Sequence, residues 1–433
     1  MPVFLNSRNS DFEKDFKKLL SSKREDSLDV DLSVKEIIEA VIEKGDQALI
    51  EYTQKFDRIS LNSENLRFTQ SEVEEQAAKV PDNDRKALEM AAARIEAYHK
   101  KQLPDNAFWT DDSGVELGWR WSPIAAAGLY VPGGLASYPS SVLMNAIPAK
   151  VAGVRRLAIT VPTPDNKINP MVLLAAQLSG VDEIYRVGGA QAIAALAYGT
   201  KTIQPVDKIT GPGNAFVAAA KRQVFGKVGI DMIAGPSEVL VIADKTSRPD
   251  WIALDLLSQA EHDENAQSIL ITDSDNVVKA VTEQVDIILK KLSRAEIAGK
   301  SWKHNGAVIR VPDLDTAAEL SNRIAPEHLE LCVSNPEDLA KKIFNAGAIF
   351  LGHWTPEAVG DYVTGPNHVL PTSRSARFSS GLSVMEFLKR TTLAKVSRGA
   401  LLKIGPSAVT LANSEGLECH GRSINERMKS NSE

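Results

Sequence analysis

The sequence predicts an α/β protein made of two doubly wound, parallel-sheet units, preceded by extra helices and followed by a helical C-terminal segment. Three observations predict it. From Ile124 onward, short apolar runs alternate with helical segments, twice over, which is the rhythm of strand–helix units feeding a parallel sheet. Glycine phrases fall where strands end or helices begin: Pro132-Gly133-Gly134, Gly188-Gly189, Gly211-Pro212-Gly213-Asn214 and Gly235-Pro236-Ser237. Finally, 433 residues, 43% hydrophobic and 24% charged, exceed one ordinary core and have a globular composition.

Residues 1–30 are polar and charged, with one helical pattern around Phe12, Phe16, Leu19 and Leu20. So small a piece buries no face alone and must dock elsewhere. Over 33–102 the spacing of Val34, Ile37, Ile38 and Val41, of Ala48, Leu49 and Tyr52, and of Ala87, Met90, Ala91, Ile95 and Tyr98 predicts amphipathic helices. The first α/β run opens with a strand at 127–131. It continues with a helix over 141–154, a strand at 157–161, a helix over 170–178, a strand at 183–187, a helix over 190–197, and a strand at 208–210 that meets one more helix. The second run starts at Glu238, with strands at 239–243, 268–272, 307–311, 329–333 and 348–351 and helices over 249–262, 276–289, 315–323 and 336–344 between them. After Ser379 mainly helices are expected, over 383–387 and 407–418. The expected layout is a helical arm over 1–30, one α/β domain from 31–123 with 238–380, a second over 124–237, and a C-terminal segment over 381–433.

The net charge is −6, which argues against nucleic acid as the main partner, because phosphate binding needs a basic face. The two cysteines, Cys332 and Cys419, exclude a disulfide framework and point to a reducing compartment. Charges at Arg8, Asp11, Glu13, Lys14 and Asp15 rule out a secretory signal, and no stretch approaches the ~20 apolar residues of a membrane span. The default location is the cytoplasm.

Four phrases carry chemistry. In Pro326-Glu327-His328 a carboxylate and an imidazole share one bend, which supplies two proton-transfer groups to one pocket; a helix-ending turn explains the same residues. Gln259 and His262 lie three apart on an expected helix, so they share a face and form a two-point clamp for a metal such as zinc; alternatively His262 satisfies the last helix carbonyls. In Gly360-Asp361 and Gly365-Pro366-Asn367-His368 a shaped loop offers Asp361 to a metal and His368 to a substrate, or is a solvated turn. Glu415 and His420 face one ligand or are ordinary surface residues. The glycine phrases suit a phosphate at a helix N-terminus, in the cleft at the carboxyl ends of the strands. No GxGxxG fingerprint is present, so a dinucleotide is permitted rather than demanded.

Taken in order, GLYVPGG, VGGAQAIAALAYGT, KITGPGNAFVAAAKR, AGPSEVLVIAD, DLLSQAEHD, APEHLEL, FLGHWTPEAVGDYVTGPNHVLPT, ARFSSGLSV and EGLECHGRS resemble the histidinol dehydrogenase family over essentially the whole chain. The resemblance implies two Rossmann-like domains in a domain-swapped homodimer whose C-terminal segment reaches the partner's active site. It implies one zinc ion per subunit on Gln259, His262, Asp361 and His420, and NAD bound near Tyr130, Gln191 and Asn214. Ser237, His368 and Glu415, with His328 and the metal ligands, are expected to bind L-histidinol. The implied reaction runs from L-histidinol through the aldehyde to L-histidine, with His328 as general base and Glu327 activating water for the second oxidation. A glycine is expected shortly after Thr372, where this chain has Ser373-Arg374-Ser375.

Three other readings compete. A related oxidoreductase acting on a sulfonated diol would meet repulsion from the Glu415 carboxylate. A zinc hydrolase would use Glu327 without a nicotinamide. A structural zinc site would be closed and Cys/His-rich, unlike a set holding Gln and Asp.

Overall fold

The computed structural model describes residues 1–21, 28–132 and 138–430, so the Gly133-Gly134 phrase lies outside the described residues, as does part of the expected N-terminal arm. The chain forms two units, Met1–Gln102 with Ala125–Phe387, and Leu103–Ile124 with the chain from Leu388 on.

The first unit holds two parallel sheets. One has six strands, ordered Val3–Asn6, Ala307–Arg310, Gln267–Thr272, Glu238–Ala243, His328–Cys332 and Ala348–Leu351 across the sheet. Its central strands are near-continuous apolar runs because both faces are covered. Leu240, Ile242, Ile269, Ile271, Leu329 and Leu331 pack on one face with Phe12, Phe16 and Leu19. Val239, Val241, Leu270 and Val308 pack on the other with Ile252, Leu256, Val281 and Trp302. Each such side chain contributes about 1.5–3 kcal/mol on burial. The second sheet orders Glu183–Tyr185, Arg156–Thr160, Ala126–Tyr130, Lys208–Thr210 and Gly229–Ile230.

Several expectations are corrected. The arm is not purely helical: Val3–Asn6 pairs with Ala307–Arg310 as an edge strand, and helix Phe12–Ser21 docks beside it. The helices expected to join residues 238–380 instead cover the five-stranded sheet, because Val34, Ile37, Ile38, Val41, Ala48 and Leu49 share a core with Tyr130, Tyr185 and Leu196. Residues 103–124 belong to the second unit. In that unit Ala107–Thr110, Val115–Pro123 and Leu388–Val396 form an antiparallel sheet, so in the expected C-terminal segment a strand follows the short helical turn Val384–Phe387. Helices Arg398–Ser414 and Glu418–Lys429 follow. Among the described residues no helix is long and apolar enough to cross a membrane.

Candidate active site

Leaving aside the edge strand Val3–Asn6, chain order in each sheet reverses between Ala126–Tyr130 and Lys208–Thr210 in one and between Glu238–Ala243 and His328–Cys332 in the other. A cleft of about 1220 Å³ lies there, lined by residues of the first unit. It sits at the carboxyl ends of the five-stranded sheet, at Pro132 and Gly211, where open α/β sheets hold ligands. It meets the six-stranded sheet at the opposite, amino edge, through Ser237 and His328. The Gly235-Pro236-Ser237 phrase, expected like the other glycine phrases where a strand ends or a helix begins, therefore leads into a strand instead.

Helix Leu314–Ile324 stops at Ala325, which takes a left-handed conformation (φ 50°), and Pro326 cannot extend it. The chain turns at once into strand His328–Cys332, which sets Glu327 and His328 at the cleft floor, both buried. Glu327 Oε2 accepts the Glu238 N–H at 2.8 Å. His328 Nδ1 lies 3.1 Å from the Glu238 carbonyl oxygen. A carbonyl only accepts, so Nδ1 carries the proton and Nε2 keeps its lone pair. That Nε2 is buried with no hydrogen-bond partner, 3.9 Å from Asp361 Oδ1 and 3.9 Å from Glu357 Oε1. Burial holds the imidazole below its ordinary pKa although the Asp361 charge opposes this, so the ring is a neutral base at neutral pH.

Helix Glu357–Tyr362 places Glu357 and Asp361 four residues apart on one face. Gly360 lets this helix sit against the sheet, since a Cβ there would fall 2.3 Å from the Phe350 ring. His368 reaches the same point: its Nδ1 donates to the Asp361 carbonyl at 3.0 Å, and its Nε2 is 3.4 Å from Ser141 Oγ. The preceding Asn367 anchors the turn by donating to the Met144 carbonyl at 2.5 Å and accepting the Val369 N–H at 2.9 Å.

Gln259 lies in the last turn of helix Pro249–Ala260, which ends two residues before the expected His262. Both side chains still line the cleft. Gln259 is 1% exposed, yet its Oε1 has no hydrogen-bond partner. One ligand atom each from His328, Glu357 and Asp361 lies within 4.8 Å of the others. Burial, followed by the charges of Glu238, Asp361 and Glu357, pushes the Glu327 carboxyl well above its usual range. Burial and Asp361 do the same to Glu357. Burying unpaired carboxylates costs far more than one fold can repay, so this group holds protons or a cation. The orphaned Gln259 amide oxygen and the crowded carboxyls suit a divalent cation; the ligand atoms that lie close together are those of His328, Glu357 and Asp361, while Gln259 and His262 line the same cleft and could contribute.

Ser237, Asn214, Gln259, His262, Glu327, His328, Asp361 and His368 thus line one cleft. Asn214 caps helix Ala215–Val224 by accepting the Phe216 and Val217 N–H groups. Tyr130 and Gln191 are buried and are not among the lining residues; the Tyr130 hydroxyl accepts the Gly189 N–H at 3.1 Å. Glu415 and His420 are exposed in the second unit, Glu415 ending one helix and His420 within the next. Sequence reading missed Glu357, Glu238 and Ser141; only Glu357 left a signal, its spacing of four from Asp361. Ser373 and Arg374, where a glycine was expected, take left-handed φ of 53° and 64°, a conformation that costs a side-chain-bearing residue of order 1–3 kcal/mol.

The histidinol dehydrogenase family model matches residues 20–428. A histidinol dehydrogenase of Ruegeria pomeroyi is 69% identical over 428 residues, covering 99% of each chain, and one of Cereibacter sphaeroides is 65% identical over the same length and coverage. The crystal structure of histidinol dehydrogenase from Elizabethkingia anophelis superposes with a TM-score of 0.95 at 38% identity, covering 100% of this chain and 99% of that one. With the whole chain matched in sequence and in fold, this protein belongs to the histidinol dehydrogenase family.

Proposed function

We propose that this protein oxidises L-histidinol to L-histidine through the aldehyde, as the last step of histidine biosynthesis in the cytoplasm, using NAD and one zinc ion per subunit. The observation that carries the reading is the unpartnered Nε2 of His328, 3.9 Å from Asp361, in a cleft that Glu327, Gln259 and His262 also line. Gln259, His262 and Asp361 would hold the zinc, completed by His420 of the partner subunit in a homodimer. A zinc held there would supply orientation of the substrate, and a bound nicotinamide would supply the hydride acceptor. Within the chain, His328 Nε2 takes the proton of the substrate hydroxyl, because its other nitrogen is committed to the Glu238 carbonyl. Glu327 takes a proton from the water that hydrates the aldehyde. Burial and the neighbouring carboxylates raise the Glu327 pKa; a divalent cation held at Asp361 would offset those charges and leave Glu327 free to act as this base. Ser237 and His368 face the substrate from the cleft wall, and Glu415 of the partner subunit matches a cationic amino alcohol. Asn214 faces the dinucleotide at the carboxyl edge of the five-stranded sheet, with Tyr130 and Gln191 behind it.

Supplying L-histidinol and NAD⁺ is expected to yield about two NADH per substrate consumed, and exhaustive chelation is expected to abolish both. Turnover without NAD⁺ would instead indicate hydrolysis.

Shared sites predict complementation. His420→Asn and His328→Asn homodimers are each expected to be inactive, yet a heterodimer carries one intact site. Random remixing of subunits should restore about a quarter of wild-type activity. A verified heterodimer without activity would show that each subunit completes its own site.

A further inference from the structure

Lys221 and Asp231 form an ion pair whose side chains are 2% and 1% exposed. Lysine is almost never buried to this degree unless paired, and an apolar pair of similar volume is often as stable. Stability alone therefore gives little reason for the pair. Its partners give another. Lys221 Nζ donates to the Gly211 carbonyl at 3.0 Å, and Asp231 Oδ2 accepts the Gly211 N–H at 2.8 Å. Both backbone polar groups of one glycine are thus held by one ion pair. Gly211 has φ +115°, and a Cβ there would fall 2.2 Å from the Tyr130 carbonyl oxygen, so the loop is pressed against the end of the adjacent strand.

The clamped residue opens Gly211-Pro212-Gly213-Asn214, which lines the cleft where the two halves of the five-stranded sheet diverge. Lys221 lies on the helix that this loop starts. Asp231 begins the connector 231–237 that crosses to the six-stranded sheet, and the Met232 N–H donates to its Oδ1 at 2.6 Å. Near the connector's far end the Gly235 N–H donates to Thr372 Oγ1 at 2.6 Å, two residues before Ser237. One buried pair therefore fastens the Gly211 loop to the start of the connector that leads toward the substrate side.

We infer that Lys221 and Asp231 are positioning residues for the dinucleotide: they hold the Gly211–Asn214 loop in its binding shape before the cofactor arrives. The inference rests on NAD binding in this cleft, as proposed above. Preordering a loop lowers the ordering cost of binding. Losing it raises the dinucleotide dissociation constant and leaves chemistry after binding largely intact.

The double variant Lys221→Met/Asp231→Asn removes both charges together, so no lone buried ion remains. Calorimetric titration with NAD⁺ is expected to show about tenfold or greater weakening, as for other losses of preorganisation. The KM for NAD⁺ should rise in parallel, with kcat within about twofold and zinc content unchanged. A merely structural role would lower the melting temperature and leave NAD⁺ affinity at the wild-type value, which overturns the inference. Hydrogen exchange on the wild-type protein decides the matter even if the variant does not fold. The Gly211 amide is expected to be protected without NAD⁺; an amide that exchanges freely until NAD⁺ is added also overturns it. Should the wild-type protein itself bind no NAD⁺, the proposed function fails, which is a different result from equal binding by wild type and variant.

Discussion

Replacing His328 by Asn is expected to slow L-histidinol oxidation by about 10²–10⁴-fold, the range a positioned base contributes. Zinc content and NAD⁺ affinity are expected to stay at wild-type values. The geometry makes this substitution selective. The His328 ring bonds through Nδ1 to the Glu238 carbonyl, and an asparagine amide can supply that donor. What it cannot supply is the second nitrogen, whose lone pair faces Asp361 without a partner. Burial already holds the ring below its ordinary pKa, so the base is competent throughout the neutral range. The acid limb of the wild-type profile is therefore expected below about pH 6.5, and the variant should lose it. Rapid-mixing measurement of the first NADH formed, with elemental analysis for zinc, checks both. A rate within tenfold of wild type would move the base elsewhere, with His368 next in line.

Much of this site is visible in the chain before any coordinates. The spacing of Gln259 and His262 marks them as a pair, although the helix it suggests stops at Ala260 and His262 lines the cleft from the turn beyond; the sharp bend at Pro326 announces that Glu327 and His328 leave a helix together. Both parallel sheets are legible for the same reason: strands such as Glu238–Ala243 and Gln267–Thr272 are buried along their whole length and read as unbroken apolar runs. What periodicity cannot say is which surface a face covers. Val34, Ile37 and Val41 mark a helix with an apolar side, yet nothing local tells that this side meets Tyr130 and Tyr185 rather than the other sheet. Val3–Asn6 is too short to declare itself, and its partner lies some three hundred residues on, at Ala307–Arg310. Leu388–Val396 is exposed along most of its length and carries Lys389, Arg390, Thr391, Thr392 and Lys395, so it lacks the alternation that marks a half-buried strand. Glu238 and Asp231 meet partners that only the fold brings near.

For Glu327→Gln the expected result is a split between the two oxidations. Alcohol oxidation should fall by less than about tenfold, and aldehyde oxidation by about 10²–10⁴-fold. Glu327 Oε2 accepts the Glu238 N–H at 2.8 Å; a glutamine oxygen accepts the same bond, so the floor of the cleft keeps its shape. The first oxidation needs one base, and His328 remains. The second passes through a hydrate, and forming it requires a proton to leave water, which an amide cannot take. Burial and the neighbouring carboxylates push Glu327 well above its usual pKa, so a cation offsetting those charges would be needed for it to act as a base, and the uncharged variant would lose any such dependence. NADH per L-histidinol should fall from about two toward one as aldehyde accumulates, and aldehyde supplied directly should be oxidised slowly from the first turnover. Equal loss in both halves would falsify this division of labour. Glu327 would then be no more than the anchor that holds the Glu238 strand against His328.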